Sequence, residues 1–446
     1  MAEGAEAPGA GGASITEGCH VVVRDTEGTQ RVFQVGAGKD LRMGKYPPIP
    51  AEVLLSLPFG AVLRRSEDGG WARHWPSGDE VANSVAAEAG EDNQGLAQDN
   101  TAQALSPAEV QRLKGECTGE ELIEALASNS STFATKTKFA QEKWIRKKQQ
   151  KHLQQVTLLR PTAMELCETY VKQSRGKMCG LRWDYLSAVL CQADVRSGGR
   201  FLVLDSAGGL VVACMAQQLG GSGRVFRAFR GGCPDRALVE LDLAPAERAC
   251  VQQVPLEVLQ SERPAAHQWL QPAPEVAAAE AAAAPDQDRA RLEARAARLR
   301  QRHEAMADLL AGPVDALVVV AGEEEAQLAD EVLETGLPRL GPGGRLVVYG
   351  MNLQPLAARQ AAMRSGQDFV DVRLNQLFTR EYQVLPQRTH PLMMAEAQLC
   401  EGFLLTATKV VDAGAGRAEA GGCAEEGDGR GERGGGRGGG KRKRGC

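Results

Sequence analysis

Residues 201–223, FLVLDSAGGLVVACMAQQLGGSG, carry the clearest architectural signal in the chain. They run from an apolar strand through an acid and a group of small residues into an apolar helix, the layout of a nucleotide-binding turn. Glycines in such a turn let the backbone approach a ligand and supply positive φ. Around it the pattern alternates strands and helices from about Gln155 to Thr408. VTLLR (156–160), RVFRAF (224–229), ALVVV (316–320) and RLVVY (345–349) are short apolar runs with helical segments between most of them. That alternation predicts a doubly wound α/β sheet. After Tyr349 come a helix (355–364) and FVDVRL (369–374), with YQVLP and FLLTATK (403–409) read as an antiparallel pair at the sheet edge.

The groups that would hold a cofactor are missing from this frame. In an S-adenosylmethionine-dependent methyltransferase the turn reads acid-x-Gly-x-Gly-x-Gly; here the register gives Asp205, Ala207, Gly209 and Val211. A valine at the helix entry crowds the space of the methionine moiety. The second strand should end in an acid that accepts the ribose hydroxyls, but it is followed by Arg230-Gly231-Gly232. The strand in VDALVVVAGEEE (314–325) should finish in an acid-apolar-Pro turn. It ends in Ala321-Gly322, and the glutamates after it read as a solvated helix start. The three departures together argue against cofactor binding by this chain and for a fold relic.

With 446 residues, 43% hydrophobic and 24% charged, the chain is long enough for several domains and is not disordered throughout. A net charge of −5, taken alone, argues against a nucleic-acid partner. Eleven scattered cysteines with no C-x-x-C pair argue against a disulfide framework and a zinc site. No apolar run approaches the roughly 18 residues of a membrane span, and the start of the chain reads as no signal peptide, which points to a reducing intracellular compartment. Residues 1–14 read as disordered, 15–78 as a small β-barrel of short strands, and 79–104 as an acidic linker. A helical connector covers 105–154, and the α/β domain runs over 155–412 with a Pro/Ala-rich insertion at 258–285. The Gly/Arg-rich tail, 413–446, ends in Lys441-Arg442-Lys443-Arg444, which reads as a nuclear import signal.

Charge is unevenly spread. From Lys136 to Lys151 the chain carries Lys136, Lys138, Lys143, Arg146, Lys147, Lys148 and Lys151 against the single acid Glu142, the pattern of a helix that neutralises phosphates or, as charge runs ordinarily are, of a solvated helix face. Trp144 within it either stacks on a base or packs. Residues 383–390, Gln-Val-Leu-Pro-Gln-Arg-Thr-His, form a polar turn able to reach sugar, phosphate or an unstacked base, and equally a plain hairpin turn. The Arg-studded helix from Asp286 to about Leu310 reads as a solvated face beside the sheet, its charge partly balanced by Asp288 and Glu293.

The segment LSPAEVQRLKGECTGEELIEALASNSSTFATKTKFAQEKWIRKKQQKH (105–152) resembles one family closely, through its Gly-Glu-Glu, Asn-Ser-Ser-Thr-Phe, Lys-Phe-Ala-Gln and Lys-Trp-Ile-Arg-Lys-Lys elements. REYQVLPQRTHP (380–391) and RGKMCGLRWDYL (175–186) extend the match. The family is the non-catalytic subunit of the eukaryotic tRNA (adenine, position 58, N1) methyltransferase. The resemblance implies an N-terminal β-barrel, a Rossmann-like methyltransferase domain with a degenerate cofactor site, and tRNA binding without chemistry. It also implies a two-plus-two assembly with a catalytic subunit, which would hold the S-adenosylmethionine that this chain does not bind. RNA contacts carried over are Lys143, Arg146, Lys147, Lys148, Lys151 and His152 on the basic helix, and Gln383, Arg388 and His390 in the turn. Weaker cases are Lys177 in its Gly-flanked loop, Asn93, Asp99, Asn100 and Gln103 at the linker end, and Arg364. An active methyltransferase with a divergent turn and a translation-initiation scaffold are the alternatives.

Overall fold

The computed structural model describes residues 14–410 apart from 45, 67, 76–102, 118, 134–137, 232–235, 262–266, 384–388 and 393–397. Strands β1 (His20–Asp25) and β2 (Gln30–Gln34) form one hairpin, and β3 (Val62–Arg65) and β4 (Trp71–His74) another. Helices α1 (Pro107–Glu116), α2 (Gly119–Ser128) and α3 (Lys138–His152) follow, and the chain then returns as β5 (Gln155–Leu159). That strand enters between β1 and β3, giving an antiparallel sheet of order β2-β1-β5-β3-β4.

This placement corrects the reading of VTLLR (156–160) as a strand of the α/β sheet. Val156 and Leu158 are buried while Thr157 and Leu159 are half-buried, the alternation of a strand with one covered face. Its buried side joins Val21, Val23, Ile49, Leu54 and Leu63 in one apolar core. The expected barrel is also corrected: β2 and β4 remain edges, so among the described residues the sheet is open. The start of α1 follows local chemistry. Ser106 Oγ accepts from the Glu109 N–H at 3.3 Å and the Glu109 carboxylate accepts from the Ser106 N–H at 2.8 Å, a reciprocal cap ahead of Pro107.

The second sheet begins after α4 (Ala163–Gln173) and α5 (Trp183–Gln192). It comprises β6 (Arg200–Asp205), β7 (Arg224–Phe229), β8 (Val251–Pro255), β9 (Val314–Val320), β10 (Leu340–Gly350), β11 (Phe369–Asn375) and, after a short extension, β16 (Phe403–Lys409), in the order β11-β16-β10-β9-β6-β7-β8. Pairings from β10 through β9, β6 and β7 to β8 are parallel, and β16 runs antiparallel between β10 and β11. FLLTATK therefore pairs with FVDVRL and RLVVY, correcting its expected pairing with YQVLP. Tyr382 and Gln383 instead form β13, which pairs with β14 (His390–Pro391); β12 (Thr379–Arg380) pairs with β15 (Gln398–Leu399) in the same extension.

Alternation along the strands divides the core between two faces. Phe201, Val203, Ala316, Val318 and Val347 pack with α4, α5 and α6 (Leu210–Leu219), whereas Leu202, Leu204, Leu317, Val319 and Leu346 lie on the other face. There the helices are α8 (Asp286–Leu310), α9 (Ala326–Gly336) and α10 (Leu353–Ser365), with α7 (Pro274–Ala283) lying along α8. The N-terminal sheet is fastened to this body by polar bonds. His20 N–H and Nδ1 meet the Asp242 carboxylate at 2.8 and 2.6 Å, and Arg24 Nη2 donates to Glu165 at 2.6 Å.

Leu158→Ala is expected to destabilise the N-terminal sheet by about 2–5 kcal/mol, the usual cost of emptying a fully buried leucine site. A lowered urea midpoint, next to a small effect of Thr157→Ala, is the expected result; equal midpoints would remove β5 from that core.

Candidate nucleic-acid interface

The strand order turns back between β6 and β9, and the crevice outside their carboxyl ends is where an open α/β sheet takes its ligand. Here the crevice is lined by a turn folded on itself. Asp205 is 5% exposed, and its carboxylate accepts from Ala207 N–H at 2.8 Å and from Val212 N–H at 3.0 Å. Gly208 and Gly209 take φ of 67° and 81°, conformations that a side chain would strain. Ala207, Leu210 and Val211 are all buried to 0% exposure, so the helix entry faces protein.

The loop Arg175–Leu181 fills the space in front. A methyl group on Gly208 would stand 3.7 Å from Met178 Sδ, and one on Gly322, at the end of β9, would stand 3.3 Å from Cys179 Sγ and 2.8 Å from a Glu325 carboxylate oxygen. Met178 and Cys179 are both buried. Burial, followed by the charges of Glu325 and Asp205, pushes the Cys179 thiol up to about 12, which makes it an inert filler. Tyr349 Oη donates to Cys179 O at 3.3 Å and holds the loop from below. At the end of β7, where a ribose acid would stand, the Arg230 guanidinium is paired with Glu331 of α9 and lies 3.4 Å from Glu257.

The same loop carries Lys177, exposed on its 3-10 turn. Beside it runs the extension between β11 and β16. Arg175 pairs with Glu401, and Arg182, 5% exposed, clamps the two ends of the extension. Its Nη1 donates to Glu401 O at 2.9 Å, its Nη2 to Leu377 O at 3.1 Å, and Asp184 neutralises it through bonds of 3.0 and 2.6 Å. The extension bears Gln383 on β13 and His390 on β14; His390 is exposed and its Nδ1–H donates to Pro391 O at 3.0 Å. The loop that carries Lys177 is thus tied, through Arg175 and the neighbouring Arg182, to the two ends of the segment that carries Gln383 and His390. Arg388 lies outside the described residues.

On α3 the spacing of Lys143, Lys147 and Lys151, four residues each, lines them up on one face. All three are exposed, and among the described residues no carboxylate is paired with them. Arg146 lies on the same helix. Trp144 packs: its ring meets Phe133 at 4.9 Å, and Lys148 Nζ sits 5.3 Å over it, half-buried. Burial, with Lys151 and Lys147 nearby, holds the Lys148 ammonium below its ordinary value. His152 and Lys151 line a cavity of about 180 Å³ where α3 meets α2. The helix approaches so closely that a Cβ on Gly119 would stand 2.8 Å from His152 O.

The remaining sequence-predicted residues do not join these two areas. Gln103 makes a backbone bridge to Ser130, and its amide nitrogen is buried, turned away from the surface. Arg364 folds back on its own sheet, its Nε and Nη2 donating to Val372 O at 3.3 and 3.0 Å. Asn93, Asp99 and Asn100 lie outside the described residues. Sequence reading missed the filling role of Met178 and Cys179, for which two apolar residues in a glycine-flanked loop were the only signal. Among the described residues no group of His, Cys, Asp and Glu gathers to hold a metal, and no helix is long and apolar enough to cross a membrane.

The two sheets and the filled crevice define a doubly wound α/β protein of methyltransferase type, joined to a basic helical arm. The profile of the Gcd10p family matches residues 14–288, and the chain belongs to that family. Among curated relatives, the tRNA (adenine(58)-N(1))-methyltransferase non-catalytic subunit of Mus musculus is 27% identical over 381 residues, covering 74% of this chain and 76% of the relative. The Dictyostelium discoideum protein of the same description is 27% identical over 422 residues, covering 89% and 79%. Similar solved structures include an S-adenosylmethionine-dependent O-methyltransferase from Thermotoga maritima, 12% identical with a TM-score of 0.48 over 90% of this chain and 96% of that one. Another is a tRNA (m1A58) methyltransferase from Aquifex aeolicus, 10% identical with a TM-score of 0.40 over 90% and 100%.

Replacing Lys143, Lys147 and Lys151 together by Glu is expected to weaken tRNA binding and to reduce the slope of log affinity against log salt by about 3, roughly one per lost phosphate contact. Circular dichroism should stay unchanged, and an unaltered salt slope would remove this face from the interface. Arg182→Lys, which loses the planar fork, is expected to free the 376–402 extension, read as faster proteolytic cleavage within it while the sheets stay intact; unchanged cleavage would show that the clamp is dispensable.

Proposed function

We propose that this chain is the non-catalytic, tRNA-binding subunit of a tRNA (adenine-N1)-methyltransferase complex that makes 1-methyladenosine at position 58. In this reading a catalytic subunit supplies S-adenosylmethionine and the catalytic acid, and the two chains form a two-plus-two heterotetramer. The observation that carries the reading is the crevice at β6 and β9, where Met178, Cys179 and Val211 stand in the space of a methyl donor. These residues do not fit that group. Asp205 has both oxygens engaged by the turn, and the residue after β7 is a paired arginine rather than an acid. The curated relatives, described as non-catalytic subunits, support the same assignment.

The chain's own residues then act by holding RNA. The lysine face of α3 neutralises phosphates, and Lys177 and the exposed His390 of β14 offer further contacts away from that helix. The Lys441–Arg444 cluster, outside the described residues, supports a nuclear location.

Two measurements test this. Calorimetric titration of the purified chain with S-adenosylmethionine is expected to give no heat of binding. Methylation of a tRNA transcript is expected only after the catalytic partner is added, with activity absent from this chain alone. Methyl transfer by the chain without its partner would overturn the proposal.

A further inference from the structure

The Pro/Ala-rich insertion builds a feature that the proposed role does not use. Trp269 lies on the 3-10 turn Gln268–Leu270, which packs against α8. α7 lies along the same helix, with Ala277 packed in one buried cluster with Ala296 and Leu299, and the two alanines leave room for the helices to approach. Between this wall and the carboxyl ends of β7 and β8 opens a cleft of about 760 Å³. Its size is that of a small-molecule or nucleotide pocket, typically some 300–1,000 Å³. Its position, outside the carboxyl ends of parallel strands, is where such sheets bind ligands.

The cleft is cationic. Arg295, Arg298 and Arg302, spaced by three and four residues, turn one face of α8 toward it. Arg302 is positioned from two sides: its guanidinium lies 4.1 Å over the Trp269 ring, and its Nη1 donates to Trp269 O at 3.3 Å. Burial, with Arg298 adjacent, holds that guanidinium below its ordinary value. The acids nearby do little to balance the set. Glu280 stands 3.8 Å from Arg295 with both side chains about half exposed, a weak pair. Glu257, the acid among the lining residues, leans to Arg230 at 3.4 Å. Among the described residues no carboxylate is paired with Arg298. At the lip, Gln268 is exposed and offers both a donor and an acceptor.

The geometry points to a second RNA-phosphate site in this cleft, in which Arg295 and Arg298 take backbone phosphates beside the fixed Arg302, and Gln268 meets a sugar or base edge. Guanidinium forks match phosphate oxygens in pairs, and three of them on one helix face follow a strand better than a point ligand. The inference rests on the reading of the chain as a tRNA-binding subunit, and it adds a contact area separate from α3.

The test uses the full chain and a labelled tRNA transcript, with affinity measured across a salt series. Arg295→Gln with Arg298→Gln is expected to weaken binding several-fold and to lower the salt slope by about 2, for two lost contacts. This loss should add to that of the α3 lysine variant, and the thermal midpoint should not move. Should the double variant fold poorly, Gln268→Glu places a negative charge at the exposed lip and is expected to weaken tRNA binding by itself. Unchanged tRNA binding in these cleft variants, with the α3 variant impaired, overturns the second site and leaves the tRNA role standing. Absence of tRNA binding by the unaltered chain, alone and with its partner, overturns the role itself. Polyglutamate is the competing probe: if its binding falls in the double variant while tRNA binding holds, the cleft takes an acidic peptide and the proposal fails.

Discussion

A single carboxylate secures the turn from which the α/β sheet is organised. Asp205 accepts from two N–H groups, those of Ala207 and Val212, and so satisfies donors that the buried start of α6 would otherwise leave without partners. A polar group buried without a partner costs roughly 1–3 kcal/mol, so the acid has a structural reason to stay whether or not a ligand is ever bound. That separates two properties that a nucleotide-binding turn usually unites. The fold needs the acid and the glycine conformations; chemistry needs the empty space in front of them, and here that space holds Met178 and Cys179.

The loop that fills the crevice also organises the surface. Its inward residues pack against the ends of β6 and β9, its outward residue Lys177 faces solvent, and its flanking arginines fasten the 376–402 extension. Filling the crevice and shaping the surface around Lys177 are therefore one construction. α3 works differently. Its tryptophan packs against Phe133, which holds the helix backbone in place ahead of any ligand. Less backbone freedom then remains to be lost on binding.

Much of this was legible in the residues themselves. The strand runs of the second sheet, the capped start of α1 and the length of α8 follow from local pattern and capping chemistry, and the structure keeps them. The α3 lysine stripe was legible because charge at a four-residue spacing needs no tertiary information. VTLLR was misplaced for a physical reason: its apolar content makes it a strand, but which sheet it joins depends on open edges at β1 and β3 more than 80 residues earlier. VQQVP (251–255) escaped notice as β8 because its two glutamines dilute the apolar signal of an edge strand. The filled crevice was invisible for the same reason as the arginine cleft. Both depend on which side chains meet across the fold, and periodicity along one element carries no record of that.

The position of β5 has a further consequence for how the molecule divides. β1 and β3 share no backbone ladder; each pairs only with β5 on that side. A chain cut anywhere between β4 and β5 would therefore not release a small stable N-terminal domain. It would leave two separate hairpins with open backbone donors and acceptors, while the other fragment would begin with a single strand lacking both neighbours. The basic helical arm is thus enclosed by one folding unit whose two parts are distant in sequence, and the order of synthesis matters: the first sheet cannot close until the arm has been made.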